Sequence, residues 1–223
     1  MAAKSKVEVK GFEARHYDTL LNVVSLGWYA RFIKKAIADL GIRPGERILD
    51  LGSGTGRNDE LMAKYLQGKG QILGLDIGEE MLEQAYERAA KNPLLKFEKR
   101  RIDEPLPYKG EFDRVFICFV LHGFEHPVRK QIVENASRAL KPGGVFNIID
   151  YAEFDLEDTG WPFRIFFTKG ECELASEFIQ HDWKQELREF GFVRFDEKFY
   201  LGNKIRLLSA WKKANDQTSE EEQ

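Results

Sequence analysis

The chain has 223 residues, a length that allows one large domain or two small ones. It is 43% hydrophobic and 32% charged, which excludes both an unfolded polar chain and a chain embedded in a bilayer. The formal net charge is −3, and four acidic residues close to the C-terminus leave residues 1–213 at +1. This near-neutral body argues against a protein that binds the phosphate backbone of a nucleic acid.

The cysteines and histidines predict a cytoplasmic chain without a metal. Cys118 and Cys172 cannot form a disulfide framework, and the four histidines are not spaced as a zinc motif. Residues 1–10 lack the apolar stretch of a signal peptide, and no window of the sequence approaches the ~20 apolar residues of a membrane span.

Strand and helix patterns alternate along the chain. Residues 19–40 predict an amphipathic helix, or a pair of helices, interrupted near Gly27. Runs that are apolar on both faces are typical of buried parallel strands. These runs lie at 48–51, 72–76, 115–120 and 145–150, and helices are predicted at 79–91 and 127–140. Such alternation indicates a βαβ architecture.

The C-terminal third predicts a helix over 182–190 and a hairpin of Phe192–Tyr200 with Ile205–Trp211. We expect one main domain over residues 42–212, preceded by a helical cap (1–41) and followed by a disordered acidic tail (213–223). Within the domain, the aromatic, irregular segment 151–180 is typical of a lid. Nine of the 17 phenylalanines lie between Phe154 and Phe199.

The stretch with the richest chemistry is the segment 50–56, Asp-Leu-Gly-Ser-Gly-Thr-Gly, at a predicted strand-to-helix turn. Glycines let the backbone approach a ligand, and the following helix presents free N–H groups. Asp76 closes the second predicted strand, where a carboxylate can accept hydrogen bonds from a ribose diol. The spacing G-x-G-x-G differs from the dinucleotide pattern G-x-G-x-x-G, and Asp50 suits an ammonium better than a phosphate. We therefore predict a nucleoside-containing ligand.

Five features in this order resemble the class I S-adenosylmethionine-dependent methyltransferases. They are the glycine loop, Asp76, Asp103 after the third strand, Phe-Asp-Arg-Val-Phe (112–116) and Leu-Lys-Pro-Gly-Gly (140–144). Residues 16–27 and 42–50 are also similar to the start of the ubiquinone/menaquinone biosynthesis methyltransferases and of their phospholipid N-methyltransferase relatives. The resemblance implies an α/β, Rossmann-like fold with a seven-stranded, mostly parallel sheet, helices on both faces and a C-terminal antiparallel hairpin.

The resemblance implies S-adenosylmethionine as the cofactor and gives roles to single residues. Asp50 would hold the ammonium of its methionyl part, Asp76 the ribose and Asp103 the adenine amino group. Met81 would pack on the adenine, although a methionine on the apolar face of a helix is as often part of a core. The full set of implied cofactor-binding residues is Asp50, Gly52, Ser53, Gly54, Asp76, Ile77, Met81, Ile102, Asp103 and Phe119.

The catalytic candidates are His122 and Tyr17. Methyl transfer needs an aligned acceptor at about 3–3.5 Å and a base if the acceptor carries a proton. His122 follows the fourth predicted strand, and the ordinary pKa of imidazole, about 6.5, suits proton removal near neutrality. Cofactor packing or a turn hydrogen bond would suit His122 equally. Tyr17 would close over the cofactor, or lie half-buried at the start of a helix. His126 is predicted to cap the next helix.

The expected acceptor is an apolar or lipid-like small molecule, such as a quinone-type ring. Nucleic acid is not expected, because the strand end before His122 lacks the Asn/Asp-Pro-Pro-aromatic motif of nucleic-acid amine methylation. The phenylalanines assigned to the acceptor site are Phe154, Phe163, Phe166 and Phe167. Those assigned to the core are Phe190, Phe192, Phe195 and Phe199.

Three alternatives remain open at this point. One is a phosphatidylethanolamine-type N-methyltransferase with peripheral membrane contact through Trp161–Phe167 and the amphipathic N-terminal helix. The others are a non-catalytic nucleotide-binding module and a nicotinamide oxidoreductase, which the glycine spacing disfavours. The sequence leaves the oligomeric state undefined.

Overall fold

The computed structural model of the chain describes residues 27–156, 159 and 173–215. Within them, seven strands form one sheet in the order 3-2-1-4-5-7-6. Strands β1 to β5 pair in parallel, while β7 pairs antiparallel with both β5 and β6. The strands are β1 (Arg47–Leu51), β2 (Gln71–Asp76), β3 (Leu95–Lys99), β4 (Phe112–Cys118), β5 (Leu140–Tyr151), β6 (Phe192–Tyr200) and β7 (Ile205–Lys212). The predicted fold class is confirmed.

Helices cover both faces of this sheet. They are α1 (Trp28–Ala38), α2 (Arg57–Ala63), α3 (Glu79–Ala89), α4 (His126–Ala139), α5 (Glu173–Phe178) and α6 (Trp183–Glu189). Short 3-10 turns occupy Lys64–Leu66 and Leu121–Gly123. None of the described helices has the length and apolar content needed to cross a bilayer.

Alternation along β4 shows how the two core layers arise. Successive side chains of a strand point to opposite faces of the sheet. Val115 and Ile117 therefore pack in the layer that contains α4 and α6, whereas Phe116 packs in the layer that contains α1, α2 and α3. All three are buried. The apolar runs of the sequence are thus strands buried on both faces.

Most predicted elements begin and end within two residues of the observed ones, but β4 begins at Phe112, three residues before its predicted start, and β5 begins five residues before its predicted start. Strand β4 stops at Cys118, before the predicted residue 120, because Phe119 turns the chain with φ +53°. Strand β5 already begins at Leu140. Helix α1 begins directly after Gly27, which caps it with φ +75°, while residues 19–26 of the predicted helical segment lie outside the described residues.

Several sequence expectations fall outside the described residues. They concern Tyr17 and most of the helical cap, Trp161–Phe167 in the lid, and residues 216–223 of the tail. Among the described phenylalanines, Phe192 is 1% exposed and belongs to the core as predicted. The same prediction for Phe199 is wrong, because its side chain is 48% exposed on β6.

Candidate active site

The glycine loop turns the chain from β1 into α2 through three residues in the left-handed region. Gly52, Gly54 and Gly56 have φ of +84°, +54° and +76°. A Cβ at Gly52 would lie 2.7 Å from a Val120 methyl group, and one at Gly56 would lie 2.6 Å from the Phe97 ring. At Gly54 no heavy atom of the described residues would lie within 4 Å. Packing thus explains two of the glycines, while Gly54 borders space that a ligand can enter.

Alanine substitutions should separate these two uses of glycine. Gly56→Ala is expected to lower the free energy of unfolding by about 3 kcal/mol, since it adds a clash to a strained φ. Gly54→Ala should lower the free energy of unfolding by only about 1–2 kcal/mol, because it adds backbone strain without a clash. It should also weaken cofactor binding. Urea denaturation and calorimetric titration measure the two effects. Equal losses of stability in both variants would contradict this division.

Asp76 lies at the carboxyl end of β2, directly against the glycine loop. Its Oδ2 accepts the N–H of Gly54 at 2.8 Å, and its Oδ1 accepts the N–H groups of Ile77 at 2.7 Å and Gly78 at 2.8 Å. These bonds fix the carboxylate. A carboxylate has about four acceptor positions, so it can also receive ribose hydroxyls. The ribose contact of Asp76 stays a prediction that this geometry fits.

Asp50 and Asp59 form a buried acid pair below the glycine loop. Their side chains are 1% and 0% exposed, and the two carboxyl groups are close enough to shift each other's pKa. Burial, and then the charge of Asp59, raise the pKa of Asp50 well above its usual range. Burial likewise raises the pKa of Asp59 to about 7. The pair therefore holds a proton at a pH where isolated aspartates have lost theirs.

The acid pair offers a fitting site for a positively charged group. If both groups are ionised, Asp50 Oδ1 and both carboxylate oxygens of Asp59 have no hydrogen-bond donor among the described residues. The ammonium of a methionyl group would supply donors. Asp59 is a site residue that the sequence analysis missed, although an acidic residue three positions after the last loop glycine was a visible signal.

The segment on the predicted adenine side is held by α4. Ile102 is buried, and Asp103 is bound by the Arg101 guanidinium, with Nη2 at 2.6 Å from its Oδ2. The Asn135 side chain accepts the Leu106 N–H at 3.0 Å and donates to the carbonyl of Ile102 at 2.9 Å. Asn135 therefore positions this segment, a role that the sequence did not reveal.

Two other predicted cofactor contacts also lie in this edge of the fold. Met81 is buried in the first turn of α3, a position that suits both core packing and an adenine contact. The Ser53 side chain is buried in the glycine loop, and its Oγ has no hydrogen-bond partner in the described part of the chain. Both assignments stay predictions.

His122 forms a dyad with Asp150, the residue near the carboxyl end of β5. Nδ1 of His122 lies 2.7 Å from Asp150 Oδ1, and the His122 backbone N–H donates to Oδ2 at 3.2 Å. Asp150 is 2% exposed. A carboxylate that accepts from Nδ1–H fixes the ring and stabilises the imidazolium, so Nε2 becomes the proton acceptor. Of these two residues, the sequence alone pointed to His122 and not to Asp150.

An aromatic wall, defined as Tyr29, Phe32, Phe119, Tyr151 and Phe178, extends away from this dyad, and two of its rings, Tyr151 and Phe178, contact His122. The ring centroid of Phe119 lies 6.2 Å from the ring centroids of both Phe32 and Tyr151. The ring centroid of His122 lies 5.1 Å from that of Tyr151 and 6.4 Å from that of Phe178. Phe119 holds this place with φ +53°, a strained conformation that clusters at functional sites. The Phe119 ring contacts other rings of the wall, and the contact with the cofactor that the sequence predicted for Phe119 stays a prediction.

The two halves of the site are adjacent. Val120 lies against Gly52 of the glycine loop, and His122 follows two residues later. Phe154, predicted to line the acceptor site, is half-buried with the Lys204 ammonium 5.2 Å from its ring centroid. Tyr17, Phe163, Phe166 and Phe167 lie outside the described residues. The prediction that His126 caps α4 is wrong by one residue, since Glu125 is the N-cap.

The strand order 3-2-1-4-5-7-6, with a glycine loop after β1 and an acidic residue ending β2, defines a class I methyl-transfer fold. Residues 48–144 match the family described as methyltransferase domain. The chain is 30% identical over 175 residues to the demethylmenaquinone methyltransferase of Lactiplantibacillus plantarum, covering 77% of this chain and 73% of that one. The chain belongs to the S-adenosylmethionine-dependent methyltransferases, and its cofactor is S-adenosylmethionine.

Other relatives and solved structures agree. An uncharacterized methyltransferase of Synechocystis is 28% identical over 195 residues, covering 85% of this chain and 87% of that one. The ubiquinone/menaquinone biosynthesis C-methyltransferase of Bordetella parapertussis is 29% identical over 151 residues, 67% of this chain and 58% of that one. The fold matches a SAM-dependent methyltransferase of Aquifex aeolicus (TM-score 0.57, 22% identity, 80% and 88% covered). It also matches a putative O-methyltransferase of Nostoc punctiforme (TM-score 0.69, 16% identity, 93% and 63% covered).

Proposed function

We propose that the protein methylates an apolar small molecule with a quinone-type ring, with His122 as the base and Asp150 as its positioning residue. The observation that carries this proposal is the His122–Asp150 dyad, which lies against the Tyr151 and Phe178 rings and close to the cofactor loop. The names of the relatives from Lactiplantibacillus and Bordetella support a quinone-type acceptor.

The chemistry follows from the positions of these residues. The bound cofactor supplies a methyl group on a positively charged sulfur. Asp76 and the acid pair orient the two polar ends of the cofactor, and the aromatic wall stacks on a flat acceptor ring and excludes water. Nε2 of His122 would accept a hydroxyl proton of the acceptor, which raises the electron density of the ring. A ring carbon would then bond to the methyl carbon as the carbon–sulfur bond breaks, the thioether would leave with that electron pair, and the hydrogen on the methylated ring carbon would be lost as a proton to water. The charge that develops on the imidazole is stabilised by Asp150, which lies 2.7 Å from Nδ1.

We further propose that residues 151–180 act as a lid over the acceptor. Both ends of this segment flank the base, since Tyr151 and Phe178 each place a ring against His122. A segment anchored on two sides of the base is positioned to enclose an apolar ring. Residues 1–41 form the proposed cap, and its last helix, α1, contributes Tyr29 and Phe32 to the aromatic wall.

An acceptor panel tests the proposed substrate class. The full chain is incubated with methyl-labelled cofactor and, separately, with a prenylated naphthoquinol, a prenylated benzoquinol, and vesicles of phosphatidylethanolamine. We expect label in a quinol and none in the phospholipid. Transfer to phosphatidylethanolamine alone would contradict the proposal and favour the N-methyltransferase alternative. Sedimentation with the vesicles measures peripheral membrane contact independently.

A further inference from the structure

Two histidines and a glutamate from distant parts of the chain converge outside the proposed active site. His126 Nε2 lies 3.5 Å from Glu186 Oε2, and His181 Nε2 is hydrogen-bonded to the same oxygen. One ligand atom from each of the three residues lies within 4.8 Å of the others. The sequence gives no hint of this cluster, because 55 residues separate His126 from His181.

The ligand set of the cluster and one of its separations match those of a metal site. Zinc binds imidazole nitrogen and carboxylate oxygen at about 2.0–2.1 Å in a tetrahedral arrangement, which places neighbouring ligand atoms about 3.3 Å apart. The 3.5 Å between His126 Nε2 and Glu186 Oε2 is close to this value, whereas His181 Nε2 lies closer to the same oxygen, at hydrogen-bonding distance, and has to move away from it when an ion binds. Two imidazoles with one carboxylate form a ligand set typical of zinc and neighbouring first-row metals.

Ordinary ion pairing leaves part of the cluster unexplained. Glu186 is 4% exposed, yet its Oε1 has no hydrogen-bond partner among the described residues, and neither has Nδ1 of His126. A buried carboxylate oxygen without a donor is rare in folded proteins. A metal ion beside the Glu186 carboxylate would provide the missing interaction.

The scaffold of the cluster is fixed, and the site is reachable from solvent. Asp182 caps α6 by accepting the Gln185 N–H at 2.9 Å, and the buried Trp183 indole donates to the Phe178 carbonyl at 3.1 Å. These bonds hold the turn that carries His181. The side chains of His126 and His181 are 29% and 34% exposed, so an ion can enter between them.

We propose that His126, His181 and Glu186 bind one divalent transition-metal ion of the zinc type, which ties α6 to the start of α4. The ion would also stabilise the backbone next to the proposed base, through Arg129. Arg129, one turn after His126, donates to the His122 carbonyl at 3.1 Å and to the Leu174 carbonyl at 2.7 Å. The site thus stabilises the backbone behind the proposed base without touching the reacting atoms.

Calorimetric titration of the full, metal-stripped chain with Zn²⁺ alone tests this site. We expect one ion per chain and a higher thermal midpoint with Zn²⁺ than with chelator. His181→Asn and Glu186→Gln should each weaken zinc binding by at least about 10-fold, since second-layer partners alone change affinity by that much. Glu189→Gln is the matched control, because Glu189 is exposed on the same helix and pairs with Lys130.

Two results would overturn the proposal. One is a wild-type chain that does not bind zinc, and the other is unchanged binding in His181→Asn. Circular dichroism and cofactor binding show whether each variant is folded. If Glu186→Gln does not fold, His181→Asn and His126→Asn decide, because both side chains are partly exposed. Since zinc binding is measured without an acceptor, these results are independent of the proposed function.

Discussion

His122→Ala is expected to lower kcat for methyl transfer by about 10²–10⁴-fold, the usual contribution of a positioned general base. Cofactor affinity should change little, because the His122 ring is held by Asp150 near the end of β5. Asp150→Asn should lower kcat less, since it keeps the ring in place but removes the charge that stabilises the imidazolium. Single-turnover rates at saturating cofactor, measured from pH 6 to pH 9, give both effects.

The pH dependence distinguishes a base from a packing residue. A general base at His122 makes kcat depend on pH, and His122→Ala should lose this dependence. Asp196→Asn, an exposed substitution on β6, is the matched control for the charge change at Asp150. A His122→Ala variant with wild-type kcat at every pH would remove His122 from the mechanism, while a lower but parallel profile would indicate a packing role.

The fold was accessible to sequence reasoning because its determinants are local. Apolar runs mark the strands, and Pro127 and the glycine after residue 190 mark helix ends. The strand end at Phe119 was not accessible. A continuous apolar run reads as strand, and only contacts with Phe32 and Tyr151 show why the backbone turns there with φ +53°.

The candidate site was accessible only in part, because half of it depends on contacts between distant residues. The glycine loop and Asp76 belong to a compact pattern within 27 residues. Asp150 lies 28 residues from His122, and Asn135 lies 33 residues from Ile102. Asp150 could have been found, since it lies near the carboxyl end of β5, the strand next to β4, and parallel neighbours end at the same edge of a sheet. Asn135 could not, because polar residues on a helix are usually solvent-facing.

Asp59→Asn is expected to change the pH dependence of stability. Because burial raises the pKa of Asp59 from 3.8 to about 7, the folded chain binds a proton here that the unfolded chain has released. In the wild type, the contribution of Asp59 to the free energy of unfolding therefore falls as the pH rises from about 4 to about 7, and then levels off. A shift of about three pKa units corresponds to at most about 4 kcal/mol. Asparagine does not titrate, so the variant should gain stability over wild type across this range.

Urea denaturation of the cofactor-free chain at pH 5, 6, 7 and 8 measures this gain. The asparagine side chain of the variant can donate an amide hydrogen to Asp50 in place of the shared proton, so the variant should remain folded. Glu60→Gln is the matched control, since Glu60 is adjacent on α2 and 55% exposed. A constant difference between Asp59→Asn and wild type at all four pH values would contradict the proton-sharing pair.

The same pair predicts that cofactor binding releases a proton. A positive ammonium beside Asp50 and Asp59 favours their ionised forms, so the proton held at pH 6 to 7 has to leave when the cofactor enters. Titration calorimetry in two buffers of different ionisation enthalpy should show this release in wild type and not in Asp59→Asn. Asp50→Asn should instead weaken binding, because it removes the predicted ammonium ligand. Equal proton release in wild type and Asp59→Asn would mean that another group responds to the cofactor, and the ammonium would then lie away from the acid pair.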